Sequence, residues 1–256
     1  MSELVRVRAE DDDQIWRVSF GAGTGNILDR ATITELRQVF ADAAGAGSLK
    51  AICLEGQGEN FSYGASIQEH LPAAAPAMLD AMRGLILDLL ASQVVVVAAV
   101  NGRCLGGGLE LAAVCHRIVA ARSAMFGQPE IKVGVFAPYA SILLPERIGR
   151  AAAEDICLTG RSIAAAEAHA IGLADEIVDA DPSDRALGWI REHLVPHSAS
   201  TLRLAVKAGR MALIARLSQE LPRIEGLYLD ALMATHDATE GLQAFLEKRP
   251  PRWRNG

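Results

Sequence analysis

Three consecutive glycines, Gly106–Gly108, stand where an apolar, valine-rich run gives way to a helical pattern, and Glu110 follows them. Glycines let backbone N–H groups approach a ligand, because no Cβ stands in the way. At a helix N-terminus such N–H groups favour a developing negative charge. The pattern predicts an oxyanion hole, with a carboxylate in the adjacent first turn placed to act as a general base.

Two further segments could meet the same site. Gly64-Ala65 lies in a loop of small and polar residues, and Glu130 follows Glu110 after a helix and a strand. Two amides from separate loops can polarise one thioester carbonyl, and two carboxylates can transfer protons or orient water. These residues therefore predict proton transfer next to a carbonyl, or water addition to a conjugated double bond.

The elements that must position these residues alternate along the chain. Residues 94–100 predict a strand buried on both faces, and alternating residues on either side of Asp11–Asp13 predict a hairpin. Helical periodicity is expected at 33–40, about 76–92, 151–160 and 163–172, with further strands at 51–55, 117–121 and 175–178. From Ser198 onward nearly everything is expected to be helical. The alternation predicts an α/β fold with a helical C-terminal extension.

Composition narrows the function classes. The 256 residues suffice for one domain, or one domain with an appendage, and the net charge of −6 argues against nucleic acid or an anionic membrane as partner. No apolar run is long enough to span a bilayer, and no basic and apolar leader opens the chain at Met1. The four cysteines lack the spacing of a zinc site. We expect a cytoplasmic protein without a metal.

Three segments together resemble the crotonase (enoyl-CoA hydratase/isomerase) superfamily. They are Phe61–Ile67, Asn101–Ala112 and Phe126–Ile131. The resemblance extends to Leu158–Arg161 and to the ending Phe245–Arg249, so it covers essentially the whole chain. It implies a crotonase-like core of repeated β-β-α turns over residues 1–195, and a helical trimerisation region over 196–256. It also implies a homotrimer or a dimer of trimers.

The resemblance implies a role for each site residue. Ala65 and Gly107 would supply the oxyanion-hole amides, and Glu110 and Glu130 would hold and activate water. The substrate would be an acyl-CoA thioester, whose CoA is part of the substrate and not a cofactor. The residues expected to contact it are Tyr63, Ser66, Ile67, Gly106, Phe136, Pro138, Tyr139 and Lys248. Lys248 would lie near the 3′-phosphate of CoA.

The chain departs from the ordinary hydratase pattern in three places. Ser66 replaces an aspartate, Phe136–Ser141 replaces a Pro-Gly-x-Gly-Gly run, and Gly21–Gly25 replaces a basic entry segment. The first two replacements are similar to those of hydratases that act on cyclohexa-1,5-diene-1-carbonyl-CoA in anaerobic benzoyl-CoA breakdown. Bulky apolar groups in place of glycine are expected to form a short, wide pocket for a six-membered ring.

Other functions stay open at this point. Within the superfamily these are a general enoyl-CoA hydratase and the ring-opening oxo-cyclohexenoyl-CoA hydrolase. A non-catalytic CoA-binding member would be favoured by loss of one glutamate, and both are present. The apolar stripe formed by Leu217, Leu221, Ile224, Tyr228 and Ala231 needs a partner surface, which the resemblance identifies as another subunit.

Overall fold

A computed structural model describes residues 4–256; the expectation about the start of the chain concerns residues 1–3 and lies outside them. The strands are β1 (Val5–Glu10), β2 (Ile15–Phe20), β3 (Ala51–Gly56), β4 (Val95–Val100), β5 (Arg103–Leu105), β6 (Arg117–Ala121), β7 (Met125–Gly127), β8 (Ser162–Ala164) and β9 (Glu176–Val178). The helices are α1 (Arg30–Gly45), α2 (Ala75–Ala91), α3 (Gly107–Val114), α4 (Ala140–Ile148), α5 (Arg150–Thr159), α6 (Ala165–Ala170), α7 (Pro182–His193), α8 (Ala199–Gly226) and α9 (His236–Leu246).

A six-stranded sheet with the order β1-β2-β3-β4-β6-β9 forms the centre of the molecule. β1 and β2 form the expected antiparallel hairpin, whose turn places Asp11–Asp13 at positive φ, and the other neighbours are parallel. Alternate residues of β4 contribute to two separate cores. Val96 packs with α1, α2 and α3, whereas Val97 packs with α7. The strand is therefore buried on both faces, as its continuous apolar run predicts.

A second stack of short extended segments lies beside this sheet. β5 pairs with β7, and β7 pairs with β8. Ser62 forms a bridge to Cys104 in β5, and Leu28 forms one to Ala65. Each turn of chain thus runs through a strand of the large sheet, an extended segment of the stack and then a helical segment. This repeat is the β-β-α spiral expected for the core.

The structure corrects two local expectations. Residues 163–172 do not form one helix, because β8 pairs antiparallel with β7 before α6 begins. The apolar stripe of the C-terminal helix was expected to pack against another subunit. Instead, Leu217, Leu221 and Tyr228 are buried in the core of the same chain. No helix within residues 4–256 combines the length and apolar character needed to cross a membrane.

Candidate active site

The loop that carries Ala65 is held between two other segments of the chain. Its residue Tyr63 donates its backbone N–H to Gly25 O over 2.8 Å, and Leu28 N donates to Gly64 O over 2.9 Å. On the other side, Leu105 N donates to Ser62 O over 2.9 Å. Gly25, the last residue of the Gly21–Gly25 segment, therefore helps to hold this loop in place.

Gly64 allows the loop to approach the N-terminus of α3. Its φ is +101°, and a Cβ at this position would lie 2.9 Å from Leu105 O and 3.1 Å from Gly107 N. Only glycine adopts this conformation at low cost and leaves room for the contact. A Cβ at Gly107 would in turn lie 3.2 Å from Ala65 N, so the two predicted oxyanion-hole residues are adjacent.

The N–H groups of Ala65 and Gly107 are available to a ligand. Within residues 4–256 neither donates to a protein acceptor, and Gly107 is the first residue of α3, where helical N–H groups lack intrahelical partners. The helix dipole adds partial positive charge at this end. Two free donors at one point are the arrangement that stabilises a thioester oxygen as it becomes negative.

Glu110 is buried in the first turn of α3, where only 4% of its surface is exposed. Its Oε1 accepts hydrogen bonds from Tyr139 N over 3.0 Å and from Ala140 N over 2.9 Å. Burial raises the pKa of Glu110, and these two N–H groups oppose the rise because they stabilise the carboxylate. The side chain is thereby fixed in place while its second oxygen, Oε2, remains for another partner.

Glu130 lies in the 3₁₀ turn Pro129–Val133, on the other side of the glycine turn. A Cβ at Gly106, whose φ is +52°, would lie 2.7 Å from Glu130 Oε1, so glycine is required beside this carboxylate. The side-chain amide of buried Gln128 lies against the carboxylate, with one of its terminal atoms 3.0 Å from Oε2 and 3.1 Å from Oε1. Glu130 is therefore positioned by its own turn and by Gln128.

The two carboxylates influence each other. Burial raises the pKa of Glu130, and the negative charge of Glu110 raises it further. Two neighbouring carboxylates raise each other's tendency to hold a proton, because both cannot be ionised without repulsion. The backbone donors favour the ionised form at Glu110, and the negative charge of Glu110 favours the protonated form at Glu130. The pair thus offers one base and one acid.

The segment between the two carboxylates and α4 carries three of the predicted substrate contacts. Phe136 is partly buried, and Pro138 and Tyr139 are buried. The Tyr139 hydroxyl lies 2.6 Å from Leu79 O and 3.0 Å from Glu225 Oε1, with its donor proton available to either acceptor. Tyr139 therefore touches the site through its backbone N–H, and contact of its ring with substrate stays a prediction.

The Tyr139 hydroxyl belongs to a buried network between α2 and α8. Glu225 forms an ion pair with Arg83, which also pairs with Asp80. Burial and the neighbouring charge of Glu225 raise the pKa of the Tyr139 hydroxyl well above its ordinary value. The network fixes the side chain of the residue whose N–H holds Glu110.

The other predicted contacts are spread around the oxyanion-hole loop and the C-terminus. Tyr63 is exposed, Ser66 and Ile67 are partly buried, and Lys248 is exposed in the turn after α9. Ser66 O accepts a hydrogen bond from His70 Nδ1 over 2.8 Å, which ties the loop to the turn that follows it. The structure places Tyr63, Ser66 and Ile67 beside Ala65, but no contact joins Lys248 to this group.

Two cavities lie near these elements. An apolar one of about 450 Å³ opens between α4 and α5, and its lining includes Ala140, whose N–H holds Glu110. A polar one of about 330 Å³ lies where β2, β3 and β4 end, lined by Arg17, Glu55 and Ser183 among others. Of these two cavities, only the apolar one is lined by a residue, Ala140, that donates a hydrogen bond to one of the two carboxylates.

Three residues that contact the predicted site residues were not themselves predicted: Gln128, Glu225 and Tyr228, the last through ring packing against Phe136. Gln128 stands two residues before Glu130, so the sequence alone places it near that carboxylate. Glu225 lies in a polar-looking helix far along the chain, and no local pattern links it to Tyr139. Tyr228 was interpreted as part of an apolar stripe.

Comparisons with known proteins agree with this geometry. The family model described as enoyl-CoA hydratase/isomerase matches residues 12–256. Cyclohexa-1,5-dienecarbonyl-CoA hydratase of Thauera aromatica is 47% identical over 254 residues, covering 99% of this chain and 98% of that protein. A probable enoyl-CoA hydratase of Mycobacterium bovis is 36% identical over 230 residues, covering 89% of each.

Solved structures show the same architecture. An enoyl-CoA hydratase from Mycobacterium avium superimposes with a TM-score of 0.87 at 25% identity, covering 99% of this chain and 100% of that one. The fold, the full-length family match and the closely related hydratase sequence support one assignment. This chain belongs to the enoyl-CoA hydratase/isomerase family and is an enzyme of that family.

Proposed function

We propose that this enzyme adds water to cyclohexa-1,5-diene-1-carbonyl-CoA and forms 6-hydroxycyclohex-1-ene-1-carbonyl-CoA. The observation that carries the proposal is the full-length, 47% identity to the Thauera aromatica hydratase, whose name specifies that substrate. The presence of both glutamates beside two free amides supports a hydratase mechanism. The reaction belongs to anaerobic degradation of aromatic acids through benzoyl-CoA.

The chemistry follows from the charge that develops during addition. Water attacks the ring carbon β to the thioester, and the electron pair moves toward the thioester oxygen. The N–H groups of Ala65 and Gly107 stabilise that oxygen as it becomes negative. Glu110 accepts a proton from the attacking water, and Glu130 delivers its proton to carbon. The adjacent pair then restores its own protonation states by transferring one proton.

The ring product requires a particular proton delivery. In the product, the hydroxyl is on one neighbour of the thioester-bearing carbon and the double bond leads to the other neighbour. The proton must therefore reach the far end of the conjugated system, across the ring from the new hydroxyl. The bulk of Phe136 and Pro138, in the stretch where linear-chain hydratases carry a Pro-Gly-x-Gly-Gly run, supports a site that holds a flat ring at this orientation.

The same proposal includes the oligomeric state of the enzyme and its cellular location. We propose a homotrimer or a dimer of trimers, with residues 1–195 as the spiral core and 196–256 as the helical region that joins subunits. Exposed apolar side chains in this region support it: Leu204, Met211, Leu227 and Phe245. We further propose cytoplasmic action on a CoA thioester with no additional cofactor, and Lys248 near the CoA phosphate.

The experiment that tests the substrate compares kcat/KM for cyclohexa-1,5-diene-1-carbonyl-CoA and for crotonyl-CoA on one enzyme preparation. We expect the cyclic diene to be preferred by a factor of about 100, the discrimination that a shaped apolar pocket supplies. Preference for crotonyl-CoA would overturn the ring assignment and support a general enoyl-CoA hydratase. Product analysis in ¹⁸O-labelled water distinguishes hydration from ring-opening hydrolysis.

A further inference from the structure

Tyr228 lies in a π-helical turn, Leu227–Leu232, that directly follows α8. π-Helical turns are rare and occur frequently at functional sites, because they redirect side chains from the regular helical pattern. Tyr228 is fully buried, and its ring packs edge-on against Phe136 with 5.3 Å between ring centroids. The turn therefore points Tyr228 at the segment that joins Glu130 to the amides that hold Glu110.

The backbone on either side of Phe136 is hydrogen-bonded to both glutamate residues. The preceding residue, Val135, donates its N–H to Glu130 O over 3.2 Å. Three residues after Phe136, Tyr139 donates its N–H to Glu110 Oε1 over 3.0 Å. The segment on which Tyr228 packs is thus hydrogen-bonded to the backbone of Glu130 at one end and to the carboxylate of Glu110 at the other.

The Tyr228 hydroxyl is buried and has no hydrogen-bond partner among residues 4–256. Leaving a buried hydroxyl without a partner destabilises a protein, so such a group indicates a ligand or a functional role. Burial raises its pKa above the ordinary tyrosine value, and the charges of Glu130 and then Glu110 raise it further. The hydroxyl therefore stays protonated, and its surroundings are those of the carboxylate pair.

We propose that the Tyr228 hydroxyl donates a hydrogen bond to the oxygen that is added to the substrate, both in the attacking water and in the hydroxyl of the product. This inference rests on the proposed hydratase function. It assigns a third protein contact to the water, in addition to Glu110 and Glu130, and it draws that contact from the C-terminal region.

A water oxygen has two O–H groups and two lone pairs, arranged roughly as a tetrahedron, and this arrangement explains the role of Tyr228. Its two O–H groups donate to the two carboxyl groups, and one lone pair accepts from Tyr228. The remaining lone pair is directed at the ring carbon and forms the new C–O bond as the water proton passes to Glu110. In the reverse reaction the same Tyr228 O–H stabilises the departing oxygen. No oxidant, reductant or further reactant is required.

The test uses Tyr228→Phe, which removes the hydroxyl and keeps the ring that packs on Phe136. Binding of two ligands is measured by calorimetry on wild type and variant: 6-hydroxycyclohex-1-ene-1-carbonyl-CoA and its analogue without the hydroxyl, cyclohex-1-ene-1-carbonyl-CoA. The variant should bind the hydroxylated ligand about 3- to 10-fold more weakly, the range of one hydrogen bond. Its affinity for the analogue should remain within about twofold, and kcat should fall about tenfold or more.

The matched pair 3-hydroxybutyryl-CoA and butyryl-CoA separates this inference from the ring assignment. If crotonyl-CoA proves to be the preferred substrate, the ring proposal fails, and the same selective loss on this linear pair still supports the role of Tyr228. Equal weakening of both members of a pair, no change in either, or a wild type that does not distinguish them would overturn it.

Thermal unfolding provides the control for a purely structural role. Tyr228→Phe should melt at the same temperature as wild type or higher, because the lost hydroxyl has no protein partner. Tyr139→Phe should melt at a lower temperature, because the Tyr139 hydroxyl contacts Leu79 O and Glu225. A Tyr228→Phe variant that loses stability as Tyr139→Phe does would contradict the proposal.

Discussion

Glu110 Oε1 accepts the backbone N–H of Tyr139 over 3.0 Å, so a residue of the segment Phe136–Ser141 also orients the proposed base. Ala140 N donates to the same oxygen over 2.9 Å. These two backbone donors fix the carboxylate, and no side chain among residues 4–256 donates to it. A change in the segment Phe136–Ser141 therefore affects the position of the Glu110 carboxylate directly.

The first prediction concerns Glu110→Gln. The amide oxygen of glutamine still accepts from both N–H groups, so the fold should be retained, whereas the base is lost. We expect kcat to fall about 100- to 10,000-fold, the usual contribution of general acid–base catalysis. Glu130→Gln should have an effect of similar size through loss of the acid. Steady-state kinetics with circular dichroism checks both, and near wild-type turnover in either variant would contradict the two-carboxylate mechanism.

The second prediction concerns stability against pH. The pKa of Glu130 is raised in the folded protein above its ordinary value of 4.5, so the native state binds more protons than the unfolded state above that pH. Stability therefore falls as pH rises through this window. Glu130→Gln removes the part of the dependence that Glu130 contributes, and its melting temperature should exceed that of wild type by at least about 2 °C at about pH 8.

The same measurement at about pH 5 supplies the comparison, because carboxyl groups with raised pKa values are largely protonated there in the folded state. The gap between variant and wild type should shrink at that pH. A gap that is constant across the range, or that widens toward acid, would show that Glu130 does not have a raised pKa.

The third prediction concerns the oxyanion hole. Gly107→Pro removes the N–H assigned to the thioester oxygen, and proline is tolerated at the first position of a helix. Loss of one such donor should lower kcat about 100- to 1000-fold. Gly107→Ala introduces the same Cβ beside Ala65 N but keeps the N–H of residue 107, so it should retain more activity than the proline variant. A folded proline variant with normal kcat would place the oxyanion hole elsewhere.

The fourth prediction concerns assembly. Leu204 and Met211 lie two turns apart on α8 and are 65% and 64% exposed. If subunits associate through this surface, Leu204→Glu combined with Met211→Glu should dissociate them, because buried unpaired charges are costly at an interface. Light scattering should show a trimer or hexamer for wild type and smaller species for the variant. A stable wild-type monomer at micromolar concentration would contradict the proposed assembly.

Sequence patterns predicted the parts of the fold that depend on local chemistry. The apolar run of β4, the hairpin at Asp11–Asp13 and the glycine turn before Glu110 are each contained within a few residues. The pairing of β8 with β7 was not predicted, because a three-residue strand carries too little periodicity to distinguish it from a helix start.

The residues of the candidate site likewise fall into two groups, those that local sequence predicts and those that only tertiary packing brings together. Glu110 and Glu130 were predicted because each lies in a distinctive segment, and the structure shows that the negative charge of one raises the pKa of the other. Glu225 contacts Tyr139 across 86 residues of sequence, and Tyr228 reaches Phe136 from the same helical region. Such contacts arise from tertiary packing, and periodicity within one helix carries no information about them.

The network around Glu225 determines how much of the chain makes a minimal enzyme. A fragment ending at residue 195 would retain both glutamates and both oxyanion-hole amides. It would lack Glu225, so Arg83 and the Tyr139 hydroxyl would lose a shared partner, and the core filled by Leu217 would be open. The C-terminal helices are therefore not a detachable module for assembly, and truncation or domain exchange within this chain must preserve them through Tyr228.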